Sequence, residues 1–353
     1  MKSFFIGDIE IKLPIVQGGM GIGVSLAGLA AAVANEGGVG VISCAGSGLI
    51  HQKVPGDFLG NSIWGLQEEL RVAREKTKGI IGVNIMVALS NFADMVRTCI
   101  AEKVDIIFAG AGLPLDMPSY LQPDSTTKLV PIISSARAAQ LICNKWKGHY
   151  NYLPDAIVVE GPKAGGHLGF KSEELESPDF ALEKIVPEVL KVAESYKDEK
   201  KIPVIAGGGI YTGKDIRKFL EMGVAAVQMS SIFVTTKECD ASDDFKNTYI
   251  NAKKEDMRII HSPVGMLGRA IDSKFVQDVE SGLKVPKVCP HHCIKTCDYI
   301  NAPYCISQAL LQAAHGDLRR GFAFAGANAY LAEKISTVKE VFDKLKAEFA
   351  DDI

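Results

Sequence analysis

No stretch of this 353-residue chain stays apolar long enough to cross a bilayer without a charge or repeated glycine interrupting it. Charge of one sign is also missing. The 39 Lys and Arg are interspersed with 42 Asp and Glu for a net −3, which argues against nucleic acid or an anionic membrane as a partner. The opening "MKSFFIGDIEIKLPIVQGG" lacks a long apolar core after its lysine, so a secretory signal is not expected and a cytoplasmic protein is. No glycine cluster has the G-x-G-x-x-G spacing of a dinucleotide turn: "QGGMGIG", "AGAGLP" and "AGGGIYTG" all miss it. Low-complexity tracts, linker-like runs and repeats beyond a β/α alternation are absent too. What remains is 47% hydrophobic and 23% charged residues, an ordinary globular composition with ample core.

Eight short aliphatic runs alternate with helical patterns. The runs fall at 13–18, 39–43, 80–86, 104–112, 128–135, 155–161, 202–210 and 225–234. Most are apolar throughout rather than alternating, as strands buried on both faces of a parallel sheet are. Helices are expected at 25–38, 66–79, 91–103, 136–148, near 178–197 and at 212–223, with a long loop over 44–64. Eight such units in about 230 residues predict an α/β fold, a (β/α)8 TIM barrel over residues 1–235. A doubly wound open sheet is the alternative. Residues 236–353 read as a C-terminal, partly helical, cysteine-containing extension packed on the barrel. It is irregular over 236–306 and helical again over 306–316 and 328–349.

Barrel sites form at the C-terminal strand ends, and those ends define one mouth. The first supplies Gln17, Gly18, Gly19 and Met20, the third Asn84, and the fifth Ser134 and Ser135. The sixth supplies Glu160 and the loop "EGPKAGGHLGF" with Gly165, Gly166 and His167. The seventh supplies Gly207, Gly208 and Gly209, and the eighth Gln228, Met229, Ser230 and Ser231. "AGGGI" and "QMSS", on adjacent strands, suit a phosphate cradle of bare backbone N–H groups; tight ligand-free turns are the plainer alternative. Asn84 and Gln228 carry amides that donate and accept, as the edge of a planar heterocycle requires; satisfying loop backbone would use them equally well. Met20 could lie against a flat ring or fill the core. His167 is the titratable imidazole of the mouth, fit for general base or hydrogen-bond work. Lys163 is either a solvated charge or the partner of an anion.

Eight cysteines are present. Cys44, Cys99, Cys143 and Cys239 are scattered, whereas Cys289, Cys293, Cys297 and Cys305 crowd into "CPHHCIKTCDYINAPYC". Four thiolates can hold zinc or an iron–sulfur cluster. The C-x3-C spacing would set the first three on one helix face, which equally suits buried thiols.

"LPIVQGGM", "GVNIM", "EGPKAGGHLG", "PVIAGGGI" and "VQMSSIF" resemble, in order, the motifs of the nitronate monooxygenase (2-nitropropane dioxygenase-like) family. "SPVGMLGRAI" and "YCISQAL…GFAFAGANAY" resemble its longer bacterial members. The resemblance implies an FMN-dependent TIM barrel. The FMN phosphate would sit on Gly208, Gly209, Ser230 and Ser231, and the isoalloxazine near Gln17, Gly18, Met20, Asn84 and Gln228. His167 matches the family's active-site histidine. The implied reaction converts a nitronate and O2 to a carbonyl compound and nitrite. Lys163 departs from the family, which commonly has an acid there.

The same motifs resemble FabK-type enoyl-ACP reductases and related quinone or flavin reductases, in which NAD(P)H reduces FMN. A non-catalytic barrel binding FMN or a phosphometabolite is the third reading. The expected partners are a small-molecule substrate and O2 or NAD(P)H; a homodimer is left open.

Overall fold

The apolar runs become strands with both faces covered. A computed structural model describes residues 1–289 and 291–351 of the chain. A two-stranded hairpin, β1 (Phe4–Ile6) and β2 (Ile9–Ile11), comes first. The barrel strands follow: β3 (Ile15–Gln17), β4 (Gly40–Ser43), β5 (Ile81–Met86), β6 (Ile106–Gly110), β7 (Lys128–Ile133) and β8 (Ile157–Glu160). After β9 (Gly166–Leu168) come β10 (Val204–Gly207) and β11 (Ala226–Met229), then β12 (Met257–His261) and β13 (Leu267–Ile271). Eight of these form one parallel sheet in the order β3-β11-β10-β8-β7-β6-β5-β4. It closes through Gln17 N–H to the Val39 carbonyl at 2.9 Å and Val39 N–H to the Ile15 carbonyl at 3.0 Å. The expected TIM barrel is present, and the open doubly wound sheet is not.

Two apolar cores explain why the strands read as unbroken hydrophobic runs. On β8, Val158 joins Val16, Val41, Phe108 and Ile205 in one cluster, and Ile157 and Val159 join the other. The first cluster includes Phe4, Ile6 and Ile11, so the hairpin shares the apolar surface of that strand face. The register sets the strand ends level: Ser43 opposite Asn84, and Gly207 opposite both Glu160 and Gln228.

The extension is more regular than its sequence suggested. Residues 236–306 contain helices Asp243–Asn251 and Lys274–Glu280 as well as β12 and β13. These strands pair with β9 in a three-stranded antiparallel sheet. That pairing spans about a hundred residues, so no local pattern announces it. Conversely, 328–336 holds only the 3-10 turn Ala329–Leu331, and the last helix starts at the Thr337 cap and runs Val338–Ala350. The helix Phe58–Lys76 begins inside the expected loop, capped by Asp57 accepting from Gly60 N–H at 2.8 Å. No helix of the described residues is long and apolar enough to cross a membrane.

The extension also completes a barrel helix. Helix Ala27–Asn35 has Leu26 at its N-cap, which offers no side-chain acceptor. Asp240 supplies one, accepting from Leu26, Gly28 and Leu29 N–H at 2.7, 3.0 and 3.2 Å. Asp240→Ala is therefore expected to cost about 1 kcal/mol, read as a lower urea midpoint with unchanged circular dichroism before the transition.

Candidate active site

The loop after β8 is built by what lies across from it. Arg269 on β13 is only 5% exposed and donates from Nη1 to the Pro162 and Ala164 carbonyls at 2.5 and 2.8 Å. A buried guanidinium with carbonyl acceptors holds both sides of Lys163 in place. A Cβ on Gly165 would stand 2.5 Å from the Ala325 carbonyl carbon and the Gly326 nitrogen. Glycine there lets the loop lie directly on residues 325–326. The chain then enters β9, where His167 faces Gly268 of β13.

His167 is thus delivered from a strand rather than from a free loop. Its Nε2 lies 2.9 Å from Ser262 Oγ, in the turn between β12 and β13. Phe324 meets the imidazole edgewise, with centroids 5.0 Å apart at 65°. Burial lowers its pKa to about 4, so the ring is neutral at physiological pH. Among the described residues its second nitrogen makes no hydrogen bond. Glu160, at the end of β8, is pushed the other way: burial raises its carboxyl to about 7.

The two groups oppose each other in acid. An unfolded His takes up its proton near 6.5 and the folded His167 near 4, so this group costs stability as pH falls through that window. Glu160 holds its proton up to about 7 when folded against 4.5 unfolded. It therefore costs stability as pH rises from 4.5 to 7.

Both line one large pocket at the barrel mouth, as do Gly165 and Gly166. Gly19, Met20 and Asn84 line it from β3 and β5. Gly208, Gly209, Gln228, Met229, Ser230 and Ser231 line it from the other side. Five expected residues are not in its wall. Gln17 is fully buried and braces the barrel seam, donating to the Gly18 carbonyl at 2.6 Å and accepting from Val41 N–H at 2.9 Å. Gly18 donates to the Met229 carbonyl at 2.9 Å and Gly207 sits within the ladder between Glu160 and Gln228. Ser134 lies beside Gly169, its Oγ 2.6 Å from where a Cβ there would be, and Ser135 caps the helix Ala136–Tyr150.

At the β10 and β11 ends the backbone is bare. Gly208 and Gly209 have φ of 97° and 82°, a region that L side chains avoid. Ser230 and Ser231 line the same pocket from the end of β11; the Ser230 hydroxyl lies against Gly18, and Ser231 Oγ accepts from Gly326 N–H at 3.0 Å. Asn328 Nδ2 donates to the Gly209 carbonyl at 2.7 Å. A glycine cradle with hydroxyls, a wall with Met20 and Met86, and the amides of Asn84 and Gln228 fit the phosphate, flat face and polar edge of FMN. Leu49, Phe58, Ile306 and Leu310 add apolar lining to the same pocket, Leu49 and Leu310 packing in one cluster with Ile22, Ala45 and Met86.

The sequence motifs missed several contributors. Ser43, Cys44 and Phe58 line the pocket, while Ser262 and Arg269 act from β12–β13. Phe324, Gly326 and Asn328 come from "GFAFAGANAY", where two glycines among small residues and one asparagine were the available signal.

The cysteine segment departs from expectation. Residues 291–305 contain no helix, because Ile294 bridges Leu89 and Ser90 N–H bonds the Cys293 carbonyl at 3.1 Å. Cys289, Cys293, Cys297 and Cys305 are free thiols lining one small cavity, and Cys293 Sγ lies 3.3 Å from Ser307 Oγ. Among the described residues no group of three or more Cys, His, Asp or Glu is placed to hold a metal ion. The expected zinc or iron–sulfur site therefore finds no support.

Comparison with known proteins extends the picture. A profile of the family described as nitronate monooxygenase matches residues 2–348. A probable nitronate monooxygenase of Staphylococcus aureus (strain MSSA476) is 26% identical over 307 residues, covering 77% of this chain and 78% of that protein. The structure of FabK from Thermotoga maritima superimposes with a TM-score of 0.73 at 27% identity, covering 96% of this chain and 93% of that one. The nitroalkane oxidase of Streptomyces ansochromogenes has the same fold, with a TM-score of 0.71 at 20% identity over 96% of each chain.

Replacing Arg269 with Met should free the loop without unfolding the barrel. Losing its buried bonds is worth roughly 2 kcal/mol of local hold, so trypsin should cut after Lys163 about 30-fold faster with far-ultraviolet circular dichroism unchanged.

Proposed function

The chain belongs to the nitronate monooxygenase family, and from that premise we propose that this FMN-dependent oxidoreductase oxidises alkyl nitronates with O2 to a carbonyl compound and nitrite. The observation that carries the reading is a neutral His167 beside a pocket that ends in a glycine–hydroxyl cradle. FMN, when bound, supplies the electron acceptance and the reaction with O2.

The chain's own residues do the rest. Gly208 and Gly209 N–H groups and the Ser230 and Ser231 hydroxyls hold the phosphate. Asn84 and Gln228 meet the polar edge of the heterocycle. The neutral imidazole of His167 binds a nitronate oxygen as donor or takes a proton as base, according to its tautomer. Ser262 and Phe324 hold that ring in position. Glu160 carries an exchangeable proton close to neutrality.

A second reading draws on the apolar lining. Leu49, Phe58, Ile306 and Leu310 line the pocket together with the glycine-rich strand ends, which suits an apolar acyl chain or ring and so an NAD(P)H-fed reductase acting on an enoyl thioester or quinone. An anaerobic titration of the yellow protein separates the two. Bleaching by ethyl nitronate but not by NADH or NADPH is the expected result, whereas rapid bleaching by a nicotinamide alone would establish the reductase.

The pH profile gives an independent check. Turnover is expected to change near pH 7 with Glu160, not with His167, whose titration lies near 4. Glu160→Gln should remove that inflection. His167→Ala should keep its flavin and lose about 100-fold or more in turnover; an unchanged rate would rule out His167 as the catalytic group.

A further inference from the structure

The phosphate cradle as described is made of neutral donors, yet a phosphate monoester brings close to two negative charges. Among the described residues lining the pocket, Lys163 is the only lysine or arginine. Its neighbours fix it with unusual strictness. Arg269 binds the carbonyls before and after it, Pro162 and Ala164. Its own carbonyl accepts from Ala327 N–H at 3.0 Å. Its stem lies on the cradle: a Cβ on Gly209 would be 2.8 Å from Lys163 Cβ and 3.1 Å from its Cδ. So the side chain leaves a clamped backbone and its stem runs over Gly209.

Among the described residues the ammonium has no carboxylate in contact, although Glu183 feels its charge at longer range. No ion pair within 4.0 Å involves Lys163 among the described residues, and the nearby Glu183 is already engaged by Lys218 at 2.6 Å. Arg269, the other cation of this region, spends its bonds on backbone carbonyls. An exposed lysine that lines a cavity, unpaired and with its backbone immobilised, is pre-organised for an anion.

We infer that Lys163 is a cofactor-affinity residue of this chain, its ammonium closing the glycine–serine cradle over the 5′-phosphate of FMN. This rests on the FMN reading of the pocket. Lysine here acts as a point charge beside N–H and O–H donors that fix geometry.

The test compares two ligands that differ only in the phosphate. Flavin is released from the purified holoprotein and rebinding of FMN and of riboflavin is followed by fluorescence. The wild type and Lys163→Met are compared, the latter keeping the stem on Gly209. The expected result is about tenfold weaker FMN binding in Lys163→Met, a shallower dependence on salt, and riboflavin affinity unchanged. Lys163→Arg should restore most of the loss. Unchanged FMN affinity would overturn the inference, as would an equal loss for riboflavin, which would mean that Lys163 supports the loop rather than the phosphate. A higher KM for NADPH with FMN affinity intact would assign the lysine to a substrate phosphate and overturn it too. A wild type that binds neither flavin would instead defeat the FMN reading itself.

Discussion

Everything at the mouth of this barrel depends on one loop being held by a partner that the barrel does not supply. Arg269 carries a buried charge whose solvation is replaced by two loop carbonyls, Pro162 and Ala164. That exchange is favourable only if the loop stays put, since an unbonded buried guanidinium is costly. β9 then pairs with β13 along Gly166–Leu168, giving a glycine-rich segment the rigidity of a sheet. His167, Lys163 and the pocket face of Gly165 all inherit their positions from this arrangement.

The consequence is a division of labour within the site. The barrel provides level strand ends, among them Asn84, Glu160 and Gln228, which line the pocket at one height. The extension provides orientation: Ser262 on the imidazole, Phe324 packed edgewise with it, Asn328 on Gly209 and Gly326 on Ser231. It also repays the barrel, since Asp240 caps a helix that has no capping side chain of its own. Burial then does opposite things to the two titratable groups. It keeps His167 uncharged and makes Glu160 hold its proton toward neutrality, because desolvation penalises whichever form is charged.

The same logic explains where the expectations failed. Gln17 looked like a ligand because it is polar at an apolar strand end, yet its amide is consumed within the barrel seam by Gly18 and Val41. A buried amide must be satisfied first by its nearest backbone, and sequence does not show which backbone that is. The four clustered cysteines offered either a metal site or buried thiols, with the first three on one face if helical. Their segment instead follows the rim of the barrel, tied to Leu89 and Ser90, with no metal-like grouping among the described residues.

Sequence by itself determined the barrel, because strands buried on both faces must read as apolar runs and each parallel crossover must carry a helix. It also marked Gly208 and Gly209 as points of close backbone approach and His167 as a candidate, since positive φ leaves a glycine signature. Only the tertiary structure decided what holds His167, which side chain lies against Gly209 and which polar strand ends look inward. Those answers rest on pairings between residues about a hundred apart, Arg269 with Pro162 and Ser262 with His167. Their energy comes from burial and hydrogen-bond geometry that no local pattern encodes.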